Sequence, residues 1–134
     1  MNDCIFCQIV AGAAPAYVIG QDDRVIVFLS LENHPLIVPR AHIPDLYALP
    51  AGLGAAVMEW SVLIAVAVKR ALGCEGIYVT QANGAAANQD VFHYHMHIYP
   101  RWFDAARSAR YATAASAERK QRTLDLIRQA LNRG

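Results

Sequence analysis

The spacing of apolar and polar positions changes along this chain, and each change marks an element. Residues 91–101 read V-F-H-Y-H-M-H-I-Y-P-R, a strict two-residue alternation. In a strand, successive side chains point to opposite faces. His93, His95, His97 and Tyr99 are therefore expected on one face, and Phe92, Tyr94, Met96 and Ile98 on the other. Pro100 cannot donate to a sheet ladder, so the strand is predicted to stop near Tyr99. Residues 16–19 and 24–31 read as a hairpin joined by the turn Gly20-Gln21-Asp22-Asp23. Residues 35–39 form a third apolar run, bounded by prolines and His34 and expected at a sheet edge or as an end-capped strand. Asp45 is placed to cap a short turn after Pro44. Residues 77–82 predict a fourth strand, and Asn83-Gly84 signals the turn that leads towards the histidines.

The period lengthens to that of a helix over residues 53–72, which follow Pro50-Ala51-Gly52 and are rich in alanine. Val57, Trp60, Ile64, Val68 and Ala71 form its core-facing stripe, and Gly73 supplies a stop. Residues 62–68 are apolar on the other side as well, which predicts cover on more than one face, by the sheet and by a partner subunit. A second helix is predicted over residues 116–133, with Leu124, Ile127 and Leu131 as its stripe; Arg107 and Arg110 before it read as solvated surface. The order of elements predicts an α+β fold: an antiparallel sheet of about five strands, one long packed helix and a C-terminal helix.

Composition narrows the class. The 134 residues suit one domain over 1–134, and 55% hydrophobic residues with a net charge of +1 exclude a disordered chain. Near-neutral charge predicts neither a nucleic-acid surface nor an electrostatic membrane surface. No signal-peptide pattern opens the sequence and no run reads as bilayer-spanning, so a cytoplasmic location is expected. Three cysteines do not make a disulfide framework, and Cys74 reads as inert packing.

The chemistry gathers at two places. Three imidazoles on one strand face form a reactive row. Cys4-Ile5-Phe6-Cys7 is either a redox pair, a pair of unligated thiols or half of a metal site, since two thiolates need two further ligands to hold zinc. The small-residue loop 83–90 lets backbone N–H groups approach an anion. Gln89 is the residue expected to place a phosphate, by side chain or by backbone; a plain hairpin connection is the other reading of this loop.

The run His93-Tyr94-His95-Met96-His97-Ile98-Tyr99 resembles the His-φ-His-φ-His-φ-φ signature of the histidine-triad (HIT) superfamily, φ being apolar. Gln89-Asp90-Val91-Phe92, Pro100-Arg101, Cys4-Ile5-Phe6-Cys7 and Leu36-Ile37-Val38-Pro39-Arg40-Ala41-His42 extend the likeness over roughly residues 3–102. The resemblance implies that His95 is a nucleophile attacking the α-phosphorus of a nucleotide conjugate. His97 would donate a hydrogen bond to the phosphate or leaving group, and His93 would orient the site. It also implies a structural zinc held by Cys4, Cys7, His42 and His93, and a homodimer that pairs the long helix and continues the sheet. Ser30, Leu31, Asn83, Asn88 and Gln89 fall at the substrate. Two departures stand out. Ser30 replaces an acidic residue that accepts from ribose hydroxyls, and Ala82 replaces an Asn or Gln contact, so the chemistry looks kept while the substrate shell differs. Asn88, where glycine is common, tolerates a left-handed backbone. A metal-dependent hydrolase using the three histidines as ligands, and a nucleotide-binding module without turnover, are the other readings.

Overall fold

A computed structural model describes residues 3–133. In chain order the elements are α1 (Ile5–Val10), β1 (Val18–Gln21), β2 (Val25–Leu29), β3 (Pro35–Pro39), α2 (Ala51–Leu72), β4 (Gly76–Thr80), β5 (Met96–Arg101), α3 (Ala105–Ala109) and α4 (Ala117–Asn132). The five strands form one sheet in the order β1-β2-β3-β5-β4, antiparallel at every pairing. This is the α+β arrangement expected from the sequence.

Alternation along the strands separates two apolar layers. Val25, Val27, Leu29, Ile37, Met96 and Ile98 cluster with Val57, Ile64 and Val68 of α2 and with Leu124 and Ile127 of α4. Ile26, Phe28, Leu36 and Val38 turn to the opposite face and cluster with Phe6 of α1. Between β3 and β5, Leu36 pairs with His97 and Ile37 with Met96. His97 therefore lies on the α1 side and Met96 on the α2 side. Each fully buried apolar side chain is worth roughly 1.5–3 kcal/mol. A one-residue slip of β5 would trade Met96 and Ile98 for His97 and Tyr99 in the larger core, so packing fixes which face carries the imidazole.

Several boundaries differ from the sequence reading. β5 starts at Met96 rather than residue 91, so only His97 of the three histidines lies in the strand. His93 and His95 are in the irregular segment before it. Phe92, expected to pack, is exposed, whereas Tyr94, Met96 and Ile98 reach the core. Pro100 lies within β5, paired with Ile77. β3 pairs with β5 only at Met96 and His97, so Pro100 has a strand neighbour on one side and a missing N–H is tolerated there. β3 itself is the central strand, not an edge; its two prolines stand at its ends, where ladder bonds finish. Gly20 and Gln21 belong to β1 instead of the turn, with an irregularity of register at that point. The Trp60 ring lies over Gly20, where an added Cβ would sit 3.1 Å from it. β2 ends at Leu29, and β4 ends at Thr80, leaving Ala82 in the following loop. α1 and α3 are short helices that the sequence reading did not include.

The predicted stripe of α2 is buried at Val57, Ile64 and Val68, with Trp60 and Ala71 partly buried. Gly73 closes the helix in the left-handed conformation at φ 63°. Contrary to the sequence reading, α2 is long and apolar enough to cross a bilayer, with a mean hydropathy of 1.9 over its 18-residue window. Here it packs against the sheet and α4. Its other face leaves Met58, Val62, Leu63 and Val66 about half exposed. Asp45 caps a short 3-10 turn at Leu46–Ala48, as expected.

Candidate active site and metal centre

The site forms where α1, the end of β3 and the segment before β5 meet. Cys4 is the N-cap of α1, its sulfur accepting from the Cys7 N–H at 3.5 Å. The first turn of α1 thus turns both thiols towards His42 and His93, which lie far away in sequence. The Nδ1 of His93 is 3.4 Å from Cys4 Sγ, 3.5 Å from Cys7 Sγ and 3.3 Å from His42 Nδ1; Cys7 Sγ is 3.3 Å from His42 Nδ1. The four donor atoms all lie within 4.8 Å of one another. Zinc–sulfur and zinc–nitrogen bonds of about 2.3 and 2.05 Å at tetrahedral angles put S and N about 3.6 Å apart and two N atoms about 3.3 Å apart. The donor set fits that geometry. His93 is fully buried and its Nε2–H donates to the Pro39 carbonyl at 2.7 Å, leaving Nδ1 bare towards the thiols. A carbonyl behind a ligating imidazole is the usual support for such a ring.

The same residue places the next histidine. His95 donates from Nδ1 to the His93 carbonyl at 2.8 Å, so the nitrogen left facing outwards is Nε2. That nitrogen stands 3.4 Å from Oδ1 of Asp90, an exposed side chain at the rim of the site. Phe6 packs edge-on against both His93 and His95, with ring centroids 5.8 and 5.1 Å away. A cavity of about 450 Å³ opens alongside, bounded by Cys4, His42, Asp90 and Phe92 among others. The ring of His97 is 5.0 Å from that of His95 and stacks on Tyr99 at 5.5 Å.

A fourth imidazole, which the sequence reading used only as a boundary, completes the row. His34 is fully buried; its Nε2 lies 2.9 Å from His97 Nδ1 and its Nδ1 2.8 Å from the Tyr111 carbonyl. The C-terminal segment therefore reaches the site. Burial, then the neighbouring His97, pushes the pKa of His34 down to about 4, and burial, then His95, does the same for His97. Burial also lowers His93. His34 stands two positions before Leu36, on the strand face that carries His97, and that spacing was a signal available in the sequence.

The expected substrate residues are disposed differently from one another. Gln89 is buried and fully engaged: Oε1 accepts from Gly84 N–H at 2.7 Å, Nε2 donates to Pro44 and Val91 carbonyls, and its backbone N–H donates to Gly84. It ties the loop together. Asn83 is likewise occupied, accepting from Leu46 N–H and exchanging hydrogen bonds with Gln81. Ser30 Oγ accepts from the backbone N–H groups of Glu32 and His34 and lies 3.2 Å from His34 Nδ1, so its hydroxyl shapes the loop before β3. Asn88 holds the left-handed conformation at φ 69°. Leu31 is exposed, and its carbonyl accepts from Ala115 N–H. Arg107 lies over the Trp102 ring.

The depressed histidines carry a sign. Between pH 6.5 and about 4 the unfolded chain binds protons that folded His34 and His97 refuse, so stability is complete above pH 6.5 and falls as pH drops through this window. For His34 the loss is up to about 3 kcal/mol. His34→Gln, which cannot take up that proton, should show a shallower fall of the urea midpoint between pH 7 and 4.5 than the wild type. Parallel slopes for the two proteins would contradict a neutral buried His34.

Comparison with known proteins agrees with this geometry. The chain is 38% identical over 104 residues to adenylylsulfatase HINT3 of Arabidopsis thaliana, a match covering 75% of the chain but 53% of that relative, about half its length. A zinc-bound histidine triad family protein from Mycobacterium smegmatis superimposes with a TM-score of 0.85 at 30% identity, covering 98% of this chain and 94% of the other. A histidine triad nucleotide-binding protein from Candida albicans gives a TM-score of 0.68 at 27% identity, covering 77% and 78%. The HIT domain family matches residues 11–104, a span that holds the three-histidine row, His34 and His42, and this chain belongs to that family.

Proposed function

We propose that this chain is a nucleotidyl hydrolase acting on the α-phosphate of a nucleotide conjugate, such as a dinucleoside polyphosphate or a nucleoside phosphoramidate. The observation that carries the reading is His95: its Nδ1–H is held by the His93 carbonyl, and its Nε2 is turned to the rim, 3.4 Å from Asp90 Oδ1. A neutral imidazole held in that way is a competent nucleophile. Nε2 forms a bond to phosphorus as the bond to the leaving group breaks, giving a nucleotidyl-His95. Water then attacks the same phosphorus, the P–N bond breaks, and a nucleoside monophosphate leaves. His97 is the neighbouring ring that handles protons. A relative named as an adenylylsulfatase and one named as nucleotide-binding support the substrate class.

Cys4, Cys7, His42 and His93 would hold a structural zinc, supported by the donor spacing and by the zinc-bound relative. Four protein ligands leave no open position for a water, so its contribution is to fix His93 and the carbonyl that orients His95. The triad rings do not suit a shared catalytic ion: their Nδ1 atoms face the cysteines, the His93 carbonyl and His34, respectively. A nucleotide-binding module without turnover is the second reading, favoured by the internal engagement of Ser30, Asn83 and Gln89.

The chain is further proposed to form a homodimer through the exposed apolar face of α2, with β4 as the open sheet edge. Val79 of that edge strand, on the sheet face that α2 covers, is about half exposed, as are Met58, Val62, Leu63 and Val66 of α2. Light scattering at micromolar concentration should return twice the chain mass, and a monomer would contradict this.

Turnover of diadenosine polyphosphates and an adenosine phosphoramidate separates the two functional readings. Wild type should release AMP, and His95→Asn should bind the same nucleotides while losing at least about 10³-fold in turnover. Binding without AMP release by the zinc-loaded wild type would support the module; equal slow turnover by both proteins would remove His95 as the nucleophile.

A further inference from the structure

We propose that Asp90 is a specificity-determining residue: it sorts nucleotide conjugates by the charge of the group attached to the α-phosphate, favouring a cationic leaving group and disfavouring an anionic one. This deepens the functional reading above and rests on it for its kinetic consequence.

The placement of the carboxylate is fixed locally. Asp90 Oδ1 accepts the Val91 N–H at 2.9 Å and stands 3.4 Å from His95 Nε2, at the mouth through which a phosphorus atom reaches that nitrogen. The side chain is 80% exposed, and an exposed carboxylate is ionised at neutral pH. Its surroundings do not cancel that charge. The adjoining cavity of about 450 Å³ adds a second acid, Asp3, and an apolar wall of Ile5, Val91 and Phe92, with no lysine or arginine among its described lining residues. The charge of a zinc ion would be cancelled by the Cys4 and Cys7 thiolates. Arg40 is turned to Gln21, and Arg101 lies over the Tyr78 and Tyr99 rings at the other end of the histidine row.

The field of this carboxylate crosses the reacting centre. Burial is the main influence on how His97 and Tyr99 titrate, and beneath it Asp90 acts on both in the direction of a nearby negative charge. Coulomb's law makes a unit charge about 6 Å from a carboxylate worth about 3-fold in bulk water and about 100-fold at a dielectric constant of about 20. The exposure of Asp90 puts the effect at the lower end, about 3- to 10-fold for each charge. The α-phosphate is common to every substrate and meets the same penalty each time, so discrimination falls on what is attached to it. Dinucleoside polyphosphates, with further negative charges, are on the disfavoured side. Phosphoramidates of amines that bear a second, protonated nitrogen are on the favoured side.

The test varies charge and little else. Adenosine 5′-phosphoramidates of ethylenediamine, propylamine and glycine share the P–N bond and end in a cationic, a neutral and an anionic tail. Zinc-loaded, full-length wild type should show kcat/KM falling in that order. In Asp90→Asn, which keeps an oxygen for the Val91 N–H, the cation-to-anion ratio should fall at least about tenfold. Comparing each compound across the two proteins removes the differing basicity of the amines. Raising NaCl to about 0.5 M should compress the ratio in wild type and change it much less in Asp90→Asn. Dissociation constants of the same compounds on His95→Asn, with and without Asp90→Asn, should repeat the ranking and its loss. A cation-to-anion ratio equal in the two proteins, in kcat/KM and in affinity, would overturn the proposal. The affinities need no turnover, so failure of the hydrolase reading would show as absent AMP release with the Asp90-dependent ranking intact.

Discussion

Three backbone carbonyls, each taking one imidazole N–H, set the chemistry of this site. Pro39 accepts from His93, His93 accepts from His95, and Tyr111 accepts from His34. Each bond fixes which nitrogen of its ring donates to the backbone and which is turned to the site. His93 is the junction: its ring faces the cysteines and its carbonyl orients His95. A disturbance of the Cys4–Cys7 turn therefore reaches His95 by two routes, the His93 carbonyl and the Phe6 ring that packs on both histidines.

The fold supplies the dryness these bonds need. Unsolvated carbonyls hold imidazoles tightly because water is not there to compete. Phe6 closes one side, the central strand β3 carries Pro39 to the rings, and the C-terminal chain brings Tyr111 to His34. α4 packs on α2 at the far side of the sheet, anchoring the tail that carries Tyr111. The helix, the sheet and the tail thus serve one purpose, which is to keep four imidazole rings in fixed orientations.

Much of this was legible in the sequence. Alternation of Tyr94, Met96 and Ile98 with the histidines identified the strand that faces two ways, and the C-x-x-C with His42 and His93 identified a ligand set that the fold does bring together. Periodicity could not say where pairing begins, because β3 is short and pairs with β5 at only two residues; extended character alone carried the predicted strand back to residue 91. Pro35 and Pro39 looked like edge residues, since proline removes ladder donors, yet at strand ends that loss is harmless. The small-residue loop 83–90 suggests a phosphate role for Gln89, whereas the family resemblance places Ser30 and Asn83 at the substrate. In the folded chain their side chains bond within the protein, Gln89 to Gly84, Pro44 and Val91, Asn83 to Leu46 and Gln81, and Ser30 to Glu32 and His34, and local sequence does not show the distant partners. His34 went unused because its partners are 63 and 77 residues away.

The central claim is that His95 becomes covalently bonded to phosphorus. Mixing the protein with a nucleoside phosphoramidate, quenching in alkali within milliseconds and analysing the peptides by mass spectrometry tests it directly. A nucleotidyl adduct on His95 that forms and decays at rates consistent with turnover is the predicted result. Turnover without any adduct, and with inversion of configuration at phosphorus, would mean that water attacks directly and would contradict the account.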